Sequence, residues 1–222
     1  MARALIVQHA AHEGLGWFQD WLPAASLDVH PVHPYMGHRL PTSVEGDALI
    51  VLGGPMGATD DAKAPWLPAT RELLATAIDD GVPTLGICLG AQLLAVAAGG
   101  AVERGEAGPE LGLGTVDVIQ PDLLLPEGAL PVVQWHYDTV KRLPDDAVLL
   151  ASSASYEVQA FRIGDVAWGL QFHIEATPEM VVEWAAHDRV DDSFAHAVRF
   201  REGDLRAAGE EVARRFAHIV TG

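Results

Sequence analysis

The fold is decided by the stretch Thr84-Leu-Gly-Ile-Cys-Leu-Gly-Ala-Gln-Leu-Leu-Ala-Val-Ala-Ala-Gly-Gly100. Its apolar start, Thr84–Ile87, predicts a buried strand, and Ala91–Ala98 predicts a short buried helix that the two final glycines close. The turn between them holds Cys88, with one glycine two residues before it and another two residues after it. A strand that passes directly into a helix is the repeating unit of parallel α/β sheets.

The same alternation of strand and helix fills the rest of the first half of the chain. The predicted strands are Ala4–Val7, Leu27–Val32 and Asp47–Leu52, and the predicted helices are Trp17–Leu22 and Pro65–Asp79. This order predicts a doubly wound, flavodoxin-like α/β fold, with a mostly parallel central sheet and helices on both faces.

The second half of the chain has short strands separated by Pro, Asp and Gly turns, which predicts added antiparallel strands. We place them at Thr115–Ile119, Val132–Trp135, Val148–Ser152, Val158–Ile163 and Val166–Phe172. Helices are predicted at Pro178–His187 and Asp204–Val220, and the segment between them at 188–200 is compatible with a lid, a loop or a dimer contact. We expect one domain over residues 1–222, with a C-terminal helical extension from about residue 191.

Composition excludes several classes of function. The 222 residues include 14 Lys and Arg against 31 Asp and Glu, a net charge of −17 that disfavours nucleic acid and anionic membrane surfaces as partners. The single cysteine excludes an internal disulfide framework and any site with several cysteine ligands. With no apolar run long enough to span a membrane and a start that resembles a strand more than a secretion signal, we expect a cytoplasmic location.

Cys88 lies where a nucleophile is expected in an α/β fold. A sharp strand-to-helix turn needs small neighbours, and the first amides of the helix favour a thiolate. The amide of Leu89 is positioned by the same turn to stabilise an oxyanion. The alternative is a buried structural cysteine, which is the usual role of an isolated free cysteine.

A base for this nucleophile is found in Gln171-Phe-His-Ile-Glu175. His173 follows a predicted strand at the edge where α/β sheets bind ligands, and Glu175, two residues on, is able to orient its imidazole. A thiol, a base and an orienting carboxylate together make a catalytic triad. His136 is a competing base, because Asp138 follows it at the same spacing.

Three ordered motifs identify a family. The nucleophile turn has the form Gly-x-Cys-x-Gly-x-Gln over 86–92, the distal pair is His173 and Glu175, and Gly53-Gly54-Pro55 follows an earlier strand. Together they resemble the class I (triad-type) glutamine amidotransferases over about residues 3–190, and in particular the amidotransferase domain of GMP synthases. Ile174 stands where relatives often have proline.

The resemblance implies a reaction and roles for its residues. Cys88 would attack the side-chain amide of glutamine to form a γ-glutamyl thioester, while His173, oriented by Glu175, protonates the leaving ammonia and then activates water. The amides of Gly54 and Leu89 would form the oxyanion hole. Substrate binding would fall to Gln92 and to a loop with His136, Tyr137 and Asp138, the last facing the α-ammonium group. Glu110-Leu-Gly112 resembles another recurring element of the family, without an assigned role.

Three functions stay open at this point. A separate synthetase subunit would receive the ammonia, because the chain has no Gly-Lys dipeptide and hence no P-loop. The alternatives are a stand-alone γ-glutamyl amide or peptide hydrolase, and a non-catalytic binding or regulatory relative. We expect no cofactor and no metal, because the pairs His9 with His12 and His30 with His33 have no carboxylate or cysteine cluster beside them.

Overall fold

The structure, a computed structural model, describes residues 1–222 and is built on a nine-stranded sheet. Its parallel half contains β1 (Ala2–Val7), β2 (Leu27–Val32), β3 (Ala48–Val51), β4 (Thr84–Ile87) and β11 (Ala167–Leu170). They lie in the order β2-β1-β3-β4-β11, which is the order of flavodoxin-like doubly wound sheets. The predicted fold class is therefore confirmed.

The other half of the sheet is antiparallel. It continues from β11 through β10 (Ala160–Ile163), β9 (Ala147–Ser152), β6 (Glu110–Val118) and β7 (Gly128–His136). The prediction placed the start of β6 five residues too late, because the stretch Glu110-Leu-Gly-Leu-Gly114 contains two glycines, which are rare in strands. A separate two-stranded ribbon of β5 (Ala101–Arg104) and β8 (Asp138–Arg142) was missed altogether.

Six helices cover the two faces of the sheet. On one face, α2 (Leu67–Asp79) and α3 (Leu89–Ala97) pack against alternate strand residues such as Leu49 and Val51. The strand residues that alternate with these point to the opposite face and contribute to a larger core. Four helices pack there: α1 (Phe18–Ala24), α4 (Pro178–Asp188), α5 (Ser193–Phe200) and α6 (Glu202–Thr221). None of the helices combines the length and the apolar character that a membrane crossing requires.

The segment whose structure the sequence left open is helix α5. Its Ala195 and Val198 are buried, and the ring of Phe194 meets Trp135 edge-on with the centroids 5.8 Å apart. The segment therefore packs against the core and is not an independent loop over the sheet.

Three strands end side by side at the carboxyl edge of the sheet. Gly86 of β4 pairs with Val51 of β3, and Ile87 pairs with Leu170 of β11. Because all three strands are parallel, the residues that follow them emerge at one edge. This register brings Gly53, Cys88 and His173 together.

Candidate active site

Cys88 sits on a strained turn at the start of α3. It is the residue before the helix, with φ of 50° and ψ of −107°, a conformation that residues with a side chain rarely adopt. The helix begins at Leu89 and not at Ala91 as predicted, because the chain enters it directly from the turn. The cysteine keeps only 7% of its surface exposed.

The two glycines beside Cys88 allow β3, β4 and α3 to approach closely. A Cβ on Gly86 would lie 2.6 Å from the backbone of Gly90, and a Cβ on Gly90 would overlap the carbonyl oxygen of Val51. Only glycine therefore fits at either position without a shift of the backbone.

We expect Gly90→Ala to destabilise the protein by about 3 kcal/mol or more, because the added methyl group must displace the β3 backbone. Urea denaturation measures the change in free energy of unfolding. The matched control is Gly203→Ala in α6, where no atom lies within 4 Å of the added Cβ. We expect that variant to be neutral or slightly more stable, and equal destabilisation by both would contradict the close approach.

The sulfur of Cys88 lies among polar groups from the neighbouring strands. Its Sγ is 3.7 Å from the carbonyl oxygen of Trp135 and 3.7 Å from the side-chain Nε2 of Gln171. Cys88 is also near enough to His173 to contribute to the raised pKa of that imidazole. The thiol thus faces both a base and a buried amide donor.

His173 and Glu175 form a buried pair. The Nδ1 of His173 donates to Oε1 of Glu175 at 2.6 Å, while Oε2 of Glu175 accepts from the amide of Ile174 at 3.0 Å. Burial alone would lower the pKa of His173, but the negative charges of Glu175 and Cys88 outweigh it and raise the pKa well above its ordinary value. Two backbone hydrogen bonds with Val133 fix His173 against β7.

The competing base, His136, is occupied by other partners. Its Nδ1 is 3.0 Å from the carbonyl oxygen of Asp138, and its Nε2 is 3.0 Å from the carboxylate of Glu110. Neither nitrogen is therefore free to take a proton from the thiol. Burial would raise the pKa of Glu110, but its hydrogen bonds from His136 and Ser153 hold that pKa below the ordinary value.

The two residues whose amides are predicted to form the oxyanion hole lie next to each other. Gly54 follows β3, and a Cβ on it would lie 2.7 Å from a side-chain methyl group of Leu89. Neither backbone N–H has a hydrogen-bond partner within the protein. Two unpaired amides next to the nucleophile are what a developing oxyanion requires.

A cavity of about 420 Å³ opens over Cys88. The predicted substrate-binding residues, Gln92, His136, Tyr137 and Asp138, all line it. Their segment is not a long loop, because β7 ends at His136 and β8 begins at Asp138 with one residue between. The Nε2 of Gln92 donates to the carbonyl oxygen of Asp138 at 3.0 Å and to Oε1 of Gln171 at 3.1 Å, so Gln92 joins the ribbon to the sheet.

Four charged residues of the cavity, Glu13, Glu103, Arg104 and Asp188, were missed by the sequence reasoning, and two of them have distinctive surroundings. Arg104, at the end of β5, stacks over the ring of Tyr137 at 4.6 Å and lies 3.7 Å from the carboxylate of Asp138. Glu13, in the segment after β1, is 8% exposed, and burial raises its pKa to about 8. Its place after the first parallel strand was the available signal, because that is the edge where ligands bind.

The histidine pairs have other environments. His9 accepts a hydrogen bond from the indole of Trp66 at 3.0 Å, and burial lowers its pKa to about 4. His12 instead stacks on His187 with the ring centroids 4.6 Å apart. The structure gathers no group of three or more His, Cys, Asp or Glu side chains suited to a metal ion.

Comparison with known proteins agrees with this architecture. A solved glutamine amidotransferase from Thermotoga maritima superposes with a TM-score of 0.89 at 29% identity, covering 99% of this chain and 98% of that one. Gamma-glutamyl peptidase 4 of Arabidopsis thaliana is 31% identical over 145 residues, which are 62% of this chain and 57% of the peptidase.

The resemblance to GMP synthases is also confirmed. The GMP synthase of Aeropyrum pernix is 35% identical over 165 residues, which make up 72% of this chain but only 28% of the synthase. The family profile described as "Glutamine amidotransferase class-I" matches residues 25–183. With that match over most of its length, the chain belongs to the class I glutamine amidotransferase family.

Proposed function

We propose that the protein hydrolyses the carbon–nitrogen bond of a γ-glutamyl amide, either glutamine or a larger derivative, through a thioester on Cys88. One observation supports this most directly: His173 is hydrogen-bonded to Glu175 and near enough to Cys88 for the thiol to raise its pKa, while Cys88 itself lines a cavity beside the unpaired amides of Gly54 and Leu89. Nucleophile, base, orienting carboxylate and oxyanion donors are the parts that acyl transfer requires.

The reaction follows from these positions. His173 takes the proton of the Cys88 thiol, and the sulfur attacks the γ-carbonyl carbon, whose oxygen becomes an anion beside the amides of Gly54 and Leu89. The tetrahedral intermediate collapses as the C–N bond breaks and His173 gives its proton to the leaving nitrogen. Water, deprotonated by His173, then hydrolyses the thioester to glutamate and returns the thiol.

Recognition of the glutamyl group is assigned to the ribbon end of the cavity. Asp138 carries the negative charge that suits an α-ammonium group, and Arg104 beside it suits an α-carboxylate. Gln92 and His136 fix the cavity wall at Asp138, because the backbone carbonyl of Asp138 lies within 3.0 Å of both side chains. The bound amino acid would thereby place its γ-carbonyl over Cys88.

Two outcomes for the released nitrogen fit this chemistry. An amidotransferase subunit passes ammonia to a synthetase on another chain, whereas a stand-alone hydrolase releases the amine. We propose the hydrolase, because the cavity of about 420 Å³ over Cys88 also reaches Glu13, Trp184 and Asp188, a space that ammonia alone would not fill. We also place the protein in the cytoplasm, where a reducing environment keeps its nucleophilic thiol free.

The test is intact-protein mass spectrometry after acid quenching during turnover of γ-glutamyl substrates. We expect a mass increase of one γ-glutamyl group, located on Cys88 by peptide mapping. Ammonia or amine release by the isolated protein at rates typical of enzymes, about 1 s⁻¹ or more, supports the hydrolase. Feeble release that rises only when a synthetase is added supports the subunit. If neither an adduct nor release is observed, both functions are contradicted.

A further inference from the structure

The lining of the cavity over Cys88 is acidic, with the five carboxyl groups of Glu13, Asp60, Glu103, Asp138 and Asp188 against one basic residue, Arg104. At the ribbon end it contains Arg104, the only Lys or Arg in its lining, together with Glu103 and Asp138. At the other end it contains Glu13 and Asp188, with Trp184 and the stacked pair of His12 and His187. Burial and the neighbouring His187 lower the pKa of His12, while Glu183 and Asp188 act in the opposite direction.

The end of the cavity with Glu13 lies on the side of the leaving group. Because Nδ1 of His173 is held by Glu175, only its Nε2 can protonate the leaving nitrogen. Glu13 adjoins the same imidazole: its Oε2 and the Cε1 of His173 lie 2.8 and 3.1 Å from the position of a Cβ on Gly53. The ring of Trp184 is 4.6 Å from the ring of His173. A substituent on the leaving nitrogen would therefore extend toward Glu13.

Glu13 has no hydrogen-bond partner in the protein. It is more than nine-tenths buried, lines the cavity, and neither of its carboxyl oxygens accepts a hydrogen bond from another residue. Burial is the main cause of its raised pKa, which His173 lowers and Glu175 and Asp188 raise further. Because this carboxyl group opens on the cavity without a donor from the protein, a ligand that supplies a donor gains a hydrogen bond there.

Asp188 is the second acceptor at this end. Its Oδ2 accepts from the indole Nε1 of Trp135 at 3.0 Å, and its charge affects the pKa of both Glu13 and His12. Glu13 and Asp188 therefore both present a carboxyl group to the same cavity.

From the acidic lining and the unpaired Glu13 beside His173, and resting on the proposed function, we propose that the substrates are γ-glutamyl amides of diamines, whose second nitrogen is a free ammonium bound by Glu13 and Asp188. Attack by Cys88 breaks the amide bond, and the diamine leaves with the proton from His173. Water then converts the thioester to glutamate. The distal ammonium would also favour ionisation of Glu13 when it binds.

The test compares three amides of similar length: γ-glutamyl-1,4-diaminobutane, the uncharged γ-glutamyl-pentylamine, and the anionic γ-glutamyl-4-aminobutyrate. We expect kcat/KM to be at least about tenfold higher for the diamine than for the pentylamine, as for one charge-assisted hydrogen bond, and lowest for the anion. Glutamine serves as the reference for the basic reaction.

Two variants locate the effect. Glu13→Gln and Asp188→Asn should each reduce the preference for diamine over pentylamine to about threefold or less. The control Glu72→Gln, on the exposed face of α2, should leave the preference unchanged. Since each result is a ratio of two substrates measured on one protein sample, it is insensitive to a partly unfolded preparation.

The outcomes separate the two proposals. If the wild-type protein cleaves the pentylamine as fast as the diamine, or if both variants keep the preference, the diamine proposal is wrong and γ-glutamyl hydrolysis stands. If neither glutamine nor any of the three amides is cleaved, the proposed function is wrong and the diamine proposal falls with it.

Discussion

Cys88→Ser is expected to lower the turnover of γ-glutamyl substrates by at least about 10⁴-fold, the usual loss when a triad nucleophile is removed. The serine hydroxyl has nearly the same shape, but its pKa is far too high for the nearby imidazole to ionise it as readily as a thiol. Amine release measures the loss, and mass spectrometry should show no γ-glutamyl adduct. The melting temperature should change little, because the side chain makes only two weak polar contacts, at 3.7 Å.

Cys88→Ala provides the control, since it removes the nucleophile entirely. Equal residual activity in the serine and alanine variants would show that serine does not replace the thiol. A large drop in the free energy of unfolding for Cys88→Ser, with activity lost only in proportion to the folded fraction, would support a structural cysteine instead.

Glu175→Gln is expected to lower kcat/KM by about 10³- to 10⁴-fold, because the carboxylate both orients His173 and stabilises its charged form. The pKa of His173, raised in the wild-type protein, should fall in the variant, since burial then acts without the opposing charge of Glu175. NMR titration of the ring Cε1–H resonances measures this shift. Glu179→Gln, an exposed carboxyl four residues along, should change neither the resonance nor the rate.

The pair of His173 and Glu175 also makes the stability of the protein depend on pH. Because the folded pKa of His173 lies above its unfolded value of about 6.5, the pair contributes fully below that pH and its contribution is lost as pH rises through the folded pKa. The destabilisation by Glu175→Gln should therefore be largest near pH 6 and decrease in alkaline buffer. Urea denaturation at several pH values measures it, and a destabilisation that grows with pH would contradict a charged His173.

Most of the fold was predictable because its central strands are locally unambiguous. Continuous apolar runs such as Ala48–Leu52, which ends in a glycine turn, indicate buried parallel strands without knowledge of their neighbours. The ribbon of β5 and β8 has no such signal, since each strand is short and ends in exposed charged residues. Its strands form through pairing with each other across about 40 residues of chain, which local sequence does not encode.

In the candidate site, too, some residues could be predicted from the sequence and others could not. Cys88, His173 and Glu175 follow recognisable strands at motif spacing, so their meeting at one edge could be predicted from strand order. Glu13 could not be singled out, because its burial comes from residues distant in the chain, including the loop at Gly53 and the ring of His173. Arg104 was missed together with the strand on which it lies.

The double hydrogen bond from the amide of Gln92 has a consequence for how a ligand enters. Through it the ribbon wall is fastened to Gln171, whose own amide reaches the sulfur of Cys88. The ribbon side of the cavity and the thiol of Cys88 are therefore already held in position before a ligand binds. Binding then displaces solvent from a preorganised receptor, and the entropic cost of ordering a flexible segment at that moment is avoided.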